Sequence, residues 1–447
     1  MKTVIMAGGK GTRISEVYPD IPKPLIPMTS PSGETKPVLE WEIESLQKQG
    51  FNDILLTVSH MHEKIEEFFG DGSKWGVRIR YFVEKTPLGN AGALYKIKDW
   101  LGKDDFLLLS ADVVFDVDFG RFVRFHKDHN ATASIYVHPN SHPYDSSIID
   151  SGEDAKVITW YNKGEDRPKW YKNLVNAGIH ILNPDFFCDI IIDENSIGKE
   201  NSEGKTVKVD LDRDILKPLC RLGKLYCYKC SEYIKDMGTP DRLEHVSKDF
   251  KQGIVASKNL SKKQKAFFLD RDGTINQYVG FLKNIDQFNL IENAAEAIKR
   301  INESGYLTII VTNQPVIARG EVTVDELTEI HNKMETLLGE KGAYVDEIYY
   351  CPHHPDSGFA GEIKELKIKC ECRKPNPGML LRASQDYNID LENSWMIGDR
   401  ESDVMTGINA GCHTALISDQ TANETKAELV CNSLFETVNN ILINKEE

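Results

Sequence analysis

Residues 267–274 read Phe267-Phe268-Leu269-Asp270-Arg271-Asp272-Gly273-Thr274. The apolar start predicts a buried strand, and two carboxylates follow it directly. Strand-like and helix-like stretches then alternate to about residue 417, which is typical of a mostly parallel sheet with helices on both faces. Such sheets bind ligands where their strands end, so Asp270 and Asp272 are candidate site residues. An isolated Asp-x-Asp is more simply interpreted as an acidic turn. Whether these two aspartates form a site therefore depends on the motifs in the rest of the chain.

Later stretches place further polar groups at the ends of predicted strands. Thr312 and Asn313 follow one such strand, and Asp399 follows another. Between them, Arg373 and Lys374 precede a predicted helix and supply two cations that suit a phosphate. Because the carboxyl ends of parallel strands meet at one edge of a sheet, we expect these groups to converge with the carboxylate pair.

The order of these motifs resembles the haloacid dehalogenase superfamily of phosphatases over residues 265–417. The resemblance implies that Asp270 is the nucleophile, which forms an aspartyl-phosphate, and that Asp272 protonates the leaving alcohol and then activates water. It implies Mg²⁺ on the carboxylates of Asp270 and Asp399 and on the backbone carbonyl of Asp272, with Asp403 in a second layer. The residues implied to bind the substrate and the transferring phosphoryl group are Thr312, Asn313, Arg319, Arg373 and Lys374.

A set of metal-ligating residues lies within the same part of the chain. Three thiols and one imidazole, a set typical of structural zinc, come from Cys351, His353, Cys370 and Cys372. Four ligands leave no open position for a substrate, so we predict that Zn²⁺ holds a substrate loop. The alternative is four unrelated residues in a mobile loop. Cys227 and Cys230 lack such partners and are interpreted as packing residues.

A glycine-rich stretch follows the first predicted strand and reads Gly8-Gly9-Lys10-Gly11-Thr12-Arg13. Glycine lets backbone N–H groups approach a phosphate closely, and the two basic residues add positive charge. A tight strand-to-helix turn would explain the glycines equally well. Three further features favour a phosphate site: Lys23 between two prolines, the turn Leu88–Gly92, and Asp112 after an apolar strand.

Together these features resemble the sugar-phosphate nucleotidyltransferase family over about the first 245 residues. The resemblance implies that Arg13 and Lys23 act in catalysis by holding the phosphates of the nucleotide and of the departing pyrophosphate. It implies a second Mg²⁺ site on Asp112 and Asp236. The residues implied to bind substrate are Gly8, Gly9, Lys10, Gly11 and Thr12 for the triphosphate, Glu84 and Gly89 for the base, and Lys163, Asn176 and Gly178 for the sugar phosphate. Around Lys163 the sequence Asn162-Lys163-Gly164 departs from the family's Glu-Lys-Pro.

The two resemblances together imply a fusion of consecutive activities. Within the phosphatases, the motifs after residue 312 and the zinc set resemble the heptose bisphosphate and histidinol phosphate phosphatases, although Pro315 and Val316 replace the usual Ser-Gly. The chain would then remove the 7-phosphate of D-glycero-D-manno-heptose 1,7-bisphosphate and transfer GMP from GTP to heptose 1-phosphate, giving GDP-heptose and pyrophosphate. The alternatives are the same two chemistries on another sugar, such as mannose, or with another nucleoside triphosphate. A non-enzymatic sugar-nucleotide sensor is disfavoured because the acidic groups of both sites are present.

The composition of the chain indicates which classes of partner it can bind. The 447 residues contain 54 Lys and Arg against 69 Asp and Glu, a net charge of −15 that disfavours nucleic acid as a ligand. No stretch resembles a signal peptide or a membrane span, so we expect a cytoplasmic protein without a membrane partner. The expected partners are small molecules, namely sugar phosphates and GTP. Whether the chain forms a homo-oligomer is left open.

The expected fold is α/β in two domains. The first, residues 1–245, is predicted to be a Rossmann-like nucleotidyltransferase sheet. A polar and basic linker is predicted at 246–265, followed by a haloacid dehalogenase-like domain with a zinc loop at 266–430. Residues 431–447 are expected to form a C-terminal tail.

Overall fold

The computed structural model describes residues 1–9, 13–14, 16–418 and 425–443. Lys10, Gly11 and Thr12 of the predicted phosphate loop therefore lie outside the described residues. The chain forms two compact units. The first comprises Met1–Val137, Ile149–Trp160 and Asn176–Asn259, and the second comprises His138–Ile148, Tyr161–Val175 and Leu260–Glu447. The predicted α/β fold in two domains is confirmed, while the predicted domain boundaries stay a prediction.

The N-terminal part of the chain is built on one large sheet. Its strands and those of two small ribbons are β1 (Lys2–Ala7), β2 (Pro27–Thr29), β3 (Thr35–Pro37), β4 (Asp53–Val58), β5 (Arg78–Val83), β6 (Phe106–Ser110), β7 (Val113–Asp116), β8 (Ala133–His138), β9 (Ile148–Ser151), β10 (Val157–Tyr161), β11 (Val175–Leu182), β12 (Leu225–Lys229) and β13 (Tyr233–Asp236). The large sheet has nine strands in the order β10-β9-β11-β6-β1-β4-β5, and β8 and β12 extend it from β11. Strand β1 runs parallel to β4 and β6, so its glycine-rich end lies at the carboxyl edge.

Helices cover this sheet because its strands are apolar on both faces. They are α1 (Val38–Lys48), α2 (His62–Phe69), α3 (Gly92–Lys96), α4 (Lys98–Leu101), α5 (Phe119–Asp128), α6 (Phe186–Asp189), α7 (Lys217–Arg221), α8 (Pro240–Lys251) and α9 (Ile254–Ser257). A π-helix at Leu211–Leu216 precedes α7. The core residues Val4, Ile5 and Leu109 are completely buried. Cys227 and Cys230 are buried too, as predicted for packing residues.

The second unit contains a six-stranded sheet that is entirely parallel. Its strands are β14 (Ala266–Leu269), β15 (Leu307–Asn313), β16 (Glu347–Cys351), β17 (Trp395–Gly398), β18 (His413–Ile417) and β19 (Leu429–Cys431). Their order is β16-β15-β14-β17-β18-β19. The helices are α10 (Ala294–Glu303), α11 (Pro315–Ala318), α12 (Val324–Gly339), α13 (Gly378–Tyr387), α14 (Glu401–Ala410) and α15 (Leu434–Ile443). Strand β14 is central, which places Asp270 in the middle of the carboxyl edge.

Two segments differ in character from their sequence-based description. The predicted linker begins inside α8 and includes α9, whose Val255 packs in an apolar cluster with Leu243 and Val246. The predicted C-terminal tail contains α15, where Leu434 and Val438 pack in the core of the second unit. In both segments apolar residues recur at helical spacing, which buries one face.

A test for membrane-spanning helices was negative. Among the described residues, no helix combines the length and the apolar character that crossing a bilayer requires.

Candidate active sites

The second unit concentrates charged side chains at the carboxyl edge of its sheet. Lys374 Nζ donates to Asp270 Oδ1 over 2.7 Å and to the backbone oxygen of Val311 over 2.9 Å. The same nitrogen lies 2.7 Å from Asp403 Oδ1. Burial raises the pKa of Asp270 to about 6 even though Lys374 opposes the shift. Asp270 is therefore a buried carboxylate with one cation beside it, as a nucleophile in a phosphate site would require.

Asp399 completes a group of acids around that cation. One oxygen of each of Asp270, Asp399 and Asp403 lies within 4.8 Å of the others. Asp399 Oδ1 is buried without a hydrogen-bond partner among the described residues, and burial raises the pKa of this carboxyl to about 6. A buried carboxylate oxygen without a donor is a position that a cation could fill. These residues could hold a metal ion.

Gly273 makes this close approach of Asp399 sterically permissible. Its φ is +90°, and a Cβ there would lie only 2.2 Å from Asp399 Oδ2. A residue with a side chain would displace the carboxylate and would strain the backbone. The glycine of Asp-Arg-Asp-Gly is therefore fixed by the site geometry.

Asp272 is held by donors on three sides. Arg271 Nη2 donates to Oδ2 over 2.8 Å, Asn276 Nδ2 to Oδ1 over 3.0 Å and Gln314 Nε2 to Oδ2 over 2.9 Å. Burial would raise the pKa of Asp272, but the charge and hydrogen bonds of Arg271 outweigh it and lower the pKa overall. The resting side chain is a carboxylate with a fixed orientation.

Thr312 and Asn313 extend from the end of β15. Thr312 Oγ1 accepts from Gln314 Nε2 over 2.9 Å, so Gln314 joins it to Asp272. Asn313 instead bonds to the backbone of Lys374. Its Nδ2 donates to the Lys374 oxygen over 3.2 Å, and its Oδ1 accepts from the Lys374 N–H over 3.1 Å. Asn313 was predicted to contact substrate, and in this structure its side chain holds the Lys374 loop.

A cavity of about 200 Å³ opens beside these groups. It is lined by Asp270, Asp272, Thr312, Asn313, Arg319, His354, Arg373, Lys374 and Arg400, among other residues. The Arg319 guanidinium lies between the rings of Phe281 and Phe359, at 4.1 and 4.4 Å from their centroids. Stacking fixes the planar cation while leaving its N–H groups for a ligand. The cavity thus combines a carboxylate pair with several cations, which suits a phosphorylated molecule.

The predicted zinc ligands do converge. Cys372 Sγ lies 3.3 Å from both Cys351 Sγ and Cys370 Sγ, and 3.3 Å from His353 Nδ1. Hydrogen bonds from neighbouring thiols lower the pKa of Cys372 to about 5. Arg373 Nη1 donates to the His353 backbone oxygen over 3.1 Å. These four residues could bind a metal ion, and they are connected directly to a cation of the cavity.

In the first unit, the glycine-rich end of β1 meets a half-buried acid. A Cβ on Gly8 would lie 3.1 Å from Glu84 Oε1, and Ser59 Oγ donates to the Gly8 oxygen over 2.5 Å. Glu84 Oε2 accepts from the backbone of Leu88 over 3.4 Å, and burial raises the pKa of Glu84. The structure therefore brings Gly8 and Glu84 together, as the resemblance implied. Gly9 is the last described residue of that loop segment.

The turn around Gly89 is packed against a distant segment. Its φ is +86°, and a Cβ there would lie 2.3 Å from the backbone oxygen of Val209. Val209 also exchanges backbone hydrogen bonds with Leu88 and Ala91, at 2.9 and 3.1 Å. Asn90 Oδ1 accepts from the Leu211 backbone over 2.7 Å. The turn is thus anchored to the start of the π-helix.

Of the two predicted metal carboxylates of the first unit, Asp112 lies in the turn before β7 and Asp236 ends the paired strand β13. Asp236 on β13 pairs in register with Val113, the residue after Asp112. Asp112 Oδ2 lies 3.5 Å from Lys23 Nζ. Both oxygens of Asp236 accept from Arg242 Nη1, at 2.9 and 2.8 Å. Both carboxylates thus have a cationic side chain beside them, and Arg242 lies closer to Asp236 than Lys23 does to Asp112.

Arg13 lies next to this acidic pair. A Cβ on Gly238 would be 3.8 Å from Arg13 Nη2, so the guanidinium is beside the turn that follows Asp236. Lys23 therefore lies beside Asp112 and Arg13 beside the turn after Asp236, which fits the contacts with phosphates that the resemblance implies.

The predicted sugar strand carries a polar cluster. Asn176 Oδ1 accepts from the Gly178 backbone over 3.2 Å and lies 3.1 Å from His180 Nε2. Asn176 Nδ2 donates to Asp212 Oδ1 over 3.4 Å. Burial raises the pKa of Asp212 to about 6. Asp212, on the π-helix, is a partner that the sequence reasoning missed.

Lys163 has a different setting from the other predicted ligands. It belongs to the second unit, where it pairs with Asp145 and its backbone N–H donates to Ser147 Oγ over 3.3 Å. The same unit joins Asn173 and Tyr171 to α12, with backbone N–H groups donating to Glu335 Oε2 over 2.6 Å and to Thr336 Oγ1 over 3.0 Å. The segment that carries Lys163 thus packs with the six-stranded unit.

One large groove lies away from all predicted residues. It has a volume of about 930 Å³ and is lined by Lys2, Asp53, Arg78 and Asp105, among others. These residues stand at or next to the amino ends of β1, β4, β5 and β6, whereas open α/β sheets bind ligands at the carboxyl ends. We therefore assign the site of the first unit to the carboxyl edge.

Comparison with known proteins matches this division. The model of the nucleotidyl transferase family matches residues 2–253, and a HAD-hydrolase-like model matches residues 371–437. D-glycero-beta-D-manno-heptose-1,7-bisphosphate 7-phosphatase of Yersinia pestis is 39% identical over 182 residues, covering 40% of this chain and 95% of that protein. The chain belongs to the nucleotidyl transferase family and, in its C-terminal part, to the family of these heptose bisphosphate phosphatases.

A second phosphatase and one solved structure are also similar to parts of this chain. The phosphatase of the same name from Pasteurella multocida is 44% identical over 147 residues, covering 33% of this chain and 77% of that protein. The solved structure of HddC from Yersinia pseudotuberculosis, complexed with GMP-PN, is 23% identical with a TM-score of 0.45, covering 56% of this chain and 99% of that one. The predicted fusion of a nucleotidyl transferase with a haloacid dehalogenase-type heptose bisphosphate phosphatase is confirmed as a family assignment.

Sequence reasoning missed several polar partners in this nucleotidyl transferase–phosphatase fusion. Arg271 and His331 support Asp272, Gln314 links Asp272 to Thr312, and Arg242 covers Asp236. Arg271 and Gln314 stand inside quoted motifs, so their position was a usable signal. His331 and Arg242 lie on helices whose sequence gives no sign of a site.

Proposed function

We propose that this chain catalyses two consecutive reactions of sugar activation. The second unit removes the 7-phosphate of D-glycero-D-manno-heptose 1,7-bisphosphate, and the first transfers GMP from GTP to the resulting heptose 1-phosphate. The observation that carries the proposal is the buried Asp270–Lys374 pair, which opens into a cavity lined by further cations. Family membership of both parts supports it, and the named phosphatase relatives support the sugar bisphosphate.

In the phosphatase reaction, Asp270 Oδ attacks the phosphorus of the 7-phosphate. The phosphorus–oxygen bond to the sugar breaks, and the departing oxygen takes a proton from Asp272. A water molecule then gives a proton to Asp272 and its oxygen attacks the aspartyl-phosphate. The bond to Asp270 breaks and inorganic phosphate leaves, which restores both residues.

Asp272 must be protonated at the moment when the sugar leaves. In the free protein Arg271 keeps its pKa low. A negatively charged phosphate that binds beside Asp272 raises the proton affinity of this carboxyl again. Proton uptake is thus coupled to substrate binding, and the same raised proton affinity lets Asp272 accept the proton of water while the aspartyl-phosphate is still present.

Mg²⁺ fits the phosphatase site. Asp270, Asp399 and the backbone carbonyl of Asp272 would hold it, and the unpartnered Asp399 Oδ1 is the donor atom in need of a cation. When bound, Mg²⁺ screens the repulsion between the attacking carboxylate and the phosphate. Lys374 contributes in the same direction, because it neutralises part of the charge on Asp270 and Asp403.

In the nucleotidyl transfer reaction, an oxygen of the sugar 1-phosphate attacks the α-phosphorus of GTP and pyrophosphate leaves. Arg13 and Lys23 draw the phosphates together and stabilise the charge on the leaving group. Glu84 and the Gly89 turn receive the base, and Asn176 and Gly178 receive the sugar. Mg²⁺ fits Asp112 but at Asp236 it would have to replace Arg242, so no step is assigned to it here.

Zinc is proposed for the four-residue group in the second unit. Three sulfur atoms and one imidazole nitrogen lie within 4.8 Å of one another, and this donor set is the one that structural zinc takes. Because Arg373 donates to the His353 backbone, Zn²⁺ would position a cavity cation and would take no part in the chemistry. The choice of GTP, of heptose and of the 7-phosphate rests on the resemblances, and mannose or another nucleotide is the competing assignment.

A substrate panel tests the proposal. The full chain is incubated with sugar bisphosphates or sugar 1-phosphates and each of the four nucleoside triphosphates, and phosphate release and nucleotide-sugar mass are measured. We expect phosphate release from heptose 1,7-bisphosphate with or without a nucleotide. We expect a GDP-heptose product only when GTP is present. Phosphate release without any GDP-heptose would refute the transferase assignment alone, and GDP-mannose in its place would establish the competing one.

A further inference from the structure

Arg271 is a completely buried arginine between the two aspartates of the phosphatase motif. Its Nη2 donates to both oxygens of Asp272, at 2.8 and 3.0 Å, and its Nε lies 3.3 Å from Oδ1. A guanidinium that grips both oxygens fixes the plane of the carboxylate, which a single point donor cannot do. The orientation of Asp272 therefore depends on the orientation of Arg271.

The opposite side of that guanidinium rests on one histidine. Arg271 Nη1 lies 3.1 Å from His331 Nε2, and His331 is 8% exposed in the middle of α12. Arginine has donors only, so Nε2 must be the acceptor and the imidazole is neutral with its hydrogen on Nδ1. The pKa of His331 agrees, since burial and the charge of Arg271 lower it to about 3.

Two other side chains hold Asp272 without holding Arg271. Asn276 and Gln314 donate to the Asp272 carboxylate, so neither sets the rotation of the guanidinium. His331 is the acceptor that the structure shows for Nη1, and it comes from a different element, α12. His331, Arg271 and Asp272 are therefore hydrogen-bonded in series, from α12 to the carboxyl edge of the sheet.

We propose that His331 is a positioning residue for the phosphatase reaction: acting through Arg271, it aims Asp272 at the departing sugar oxygen. This inference rests on the proposed phosphatase function. When the phosphorus–oxygen bond breaks, the proton of Asp272 moves to the departing oxygen. If the carboxyl group of Asp272 is rotated, this proton transfer lags behind the breaking of the bond. The defect should then grow with the basicity of the leaving oxygen, because a poor leaving group needs the proton most.

The experiment compares leaving groups in the full chain. His331→Leu removes the acceptor, His331→Gln keeps an acceptor oxygen on the same stem, and Met334→Leu is the control at a buried core position of the same helix. The constants kcat and KM are measured on heptose 1,7-bisphosphate, which is an alkyl ester, and on a series of aryl phosphates whose leaving groups differ in acidity. p-Nitrophenyl phosphate has the best leaving group of this series.

For His331→Leu we expect kcat/KM, which reports the steps up to departure of the leaving group, to fall about 30-fold on the alkyl ester and less than about threefold on p-nitrophenyl phosphate. His331→Gln should recover most of the loss, and Met334→Leu should match the wild type on both. An equal loss on all esters, or no loss on any, would overturn the positioning role. If wild type releases no phosphate from any ester, the proposed phosphatase function fails instead, so the two failures are distinct.

A second variant covers the case in which His331→Leu does not fold. Arg271→Lys keeps the positive charge but cannot grip both oxygens of Asp272. It should show the same dependence on the leaving group. A uniform loss across the ester series would contradict the proposal.

Discussion

Lys374 Nζ donates a 2.7 Å hydrogen bond to Asp270 Oδ1, and both side chains are buried at the carboxyl edge of the second sheet. A buried carboxylate beside one lysine can attack a phosphate only while it is ionised and correctly oriented. The pair therefore makes Asp270 the residue on which phosphate release should depend most.

Asp270→Asn is expected to abolish phosphate release and to leave nucleotidyl transfer within about twofold of wild type. The amide has nearly the same shape but lacks a nucleophilic oxygen anion. Phosphate release from heptose 1,7-bisphosphate and pyrophosphate release from GTP with heptose 1-phosphate are measured on the same preparation. Loss of both activities in a folded variant would contradict separate sites.

Asp112→Asn is expected to give the reverse result. Asp112 lies 3.5 Å from Lys23 in the first unit, and its charge would hold the cations that neutralise the phosphates of the two substrates. Nucleotidyl transfer should fall by roughly 100-fold or more, with phosphate release unchanged. The Asp270 variant is its matched control, since each removes one carboxylate charge. Normal transfer by the Asp112 variant would exclude this residue from the site.

Gly273→Ala should impair the phosphatase through steric displacement. A Cβ would lie 2.2 Å from Asp399 Oδ2, and a displacement of this size is expected to lower kcat roughly 100-fold. Gly305→Ala is the control, because its φ is +83° and no described atom lies within 4 Å of its Cβ position.

Both alanines lose about 1 kcal/mol of stability from their left-handed backbone, so a difference in turnover isolates the clash. Turnover and melting temperature are measured together. Equal turnover of the two variants would show that Asp399 tolerates the displacement.

Cys372→Ser should release the metal of the four-residue group. Its sulfur lies 3.3 Å from two other thiols, whereas buried Cys412 lies outside that group. We expect Cys372→Ser to lose zinc and to melt at a lower temperature, and Cys412→Ser to retain zinc. Metal content is measured by mass spectrometry. Retention of zinc by the Cys372 variant, or a wild type without zinc, would contradict the assignment.

His180 should make stability depend on pH. Burial lowers its pKa from 6.5 to about 4. Above pH 6.5 the folded and unfolded chains both hold it neutral. As the pH falls from 6.5 to 4, the unfolded chain binds a proton that the folded chain does not, so the free energy of unfolding drops by roughly 3 kcal/mol.

Urea unfolding of the wild type and of His180→Gln at pH 7 and pH 4.5 measures this effect. The glutamine cannot be protonated, so its pH dependence should be smaller. His60→Gln, at an exposed position, is the control and should behave like the wild type. An unchanged pH dependence in His180→Gln would show that other groups cause the loss.

Much of the fold follows from local sequence. The predicted strands at residues 2–7, 106–110 and 266–269 match the structure because continuous apolar runs can be buried only inside a sheet. Helical periodicity predicts a single helix at residues 91–101, whereas the structure has α3 and α4, which are separated at Ile97. Helix breaks of this kind depend on packing, which periodicity does not report.

The sequence predicts those candidate site residues that lie at the ends of strands. Asp270, Thr312 and Asp399 converge because parallel strands end at one edge, and that rule needs no coordinates. Asn313 was placed correctly at that edge, but its use as a support for the Lys374 backbone could not be foreseen. A side chain at a strand end can face a ligand or a neighbouring loop, and the sequence is the same in both cases.

The sequence by itself determined the two α/β sheets, the order of their motifs, and the ligand types available at each site. Only the tertiary structure decided which polar groups support those ligands. Arg271 points into the core because His331 of a separate helix provides an acceptor, and Lys163 belongs to the second unit because its segment packs with α12. Contacts between residues far apart in the chain leave no periodic trace, since each partner alone is an ordinary polar residue.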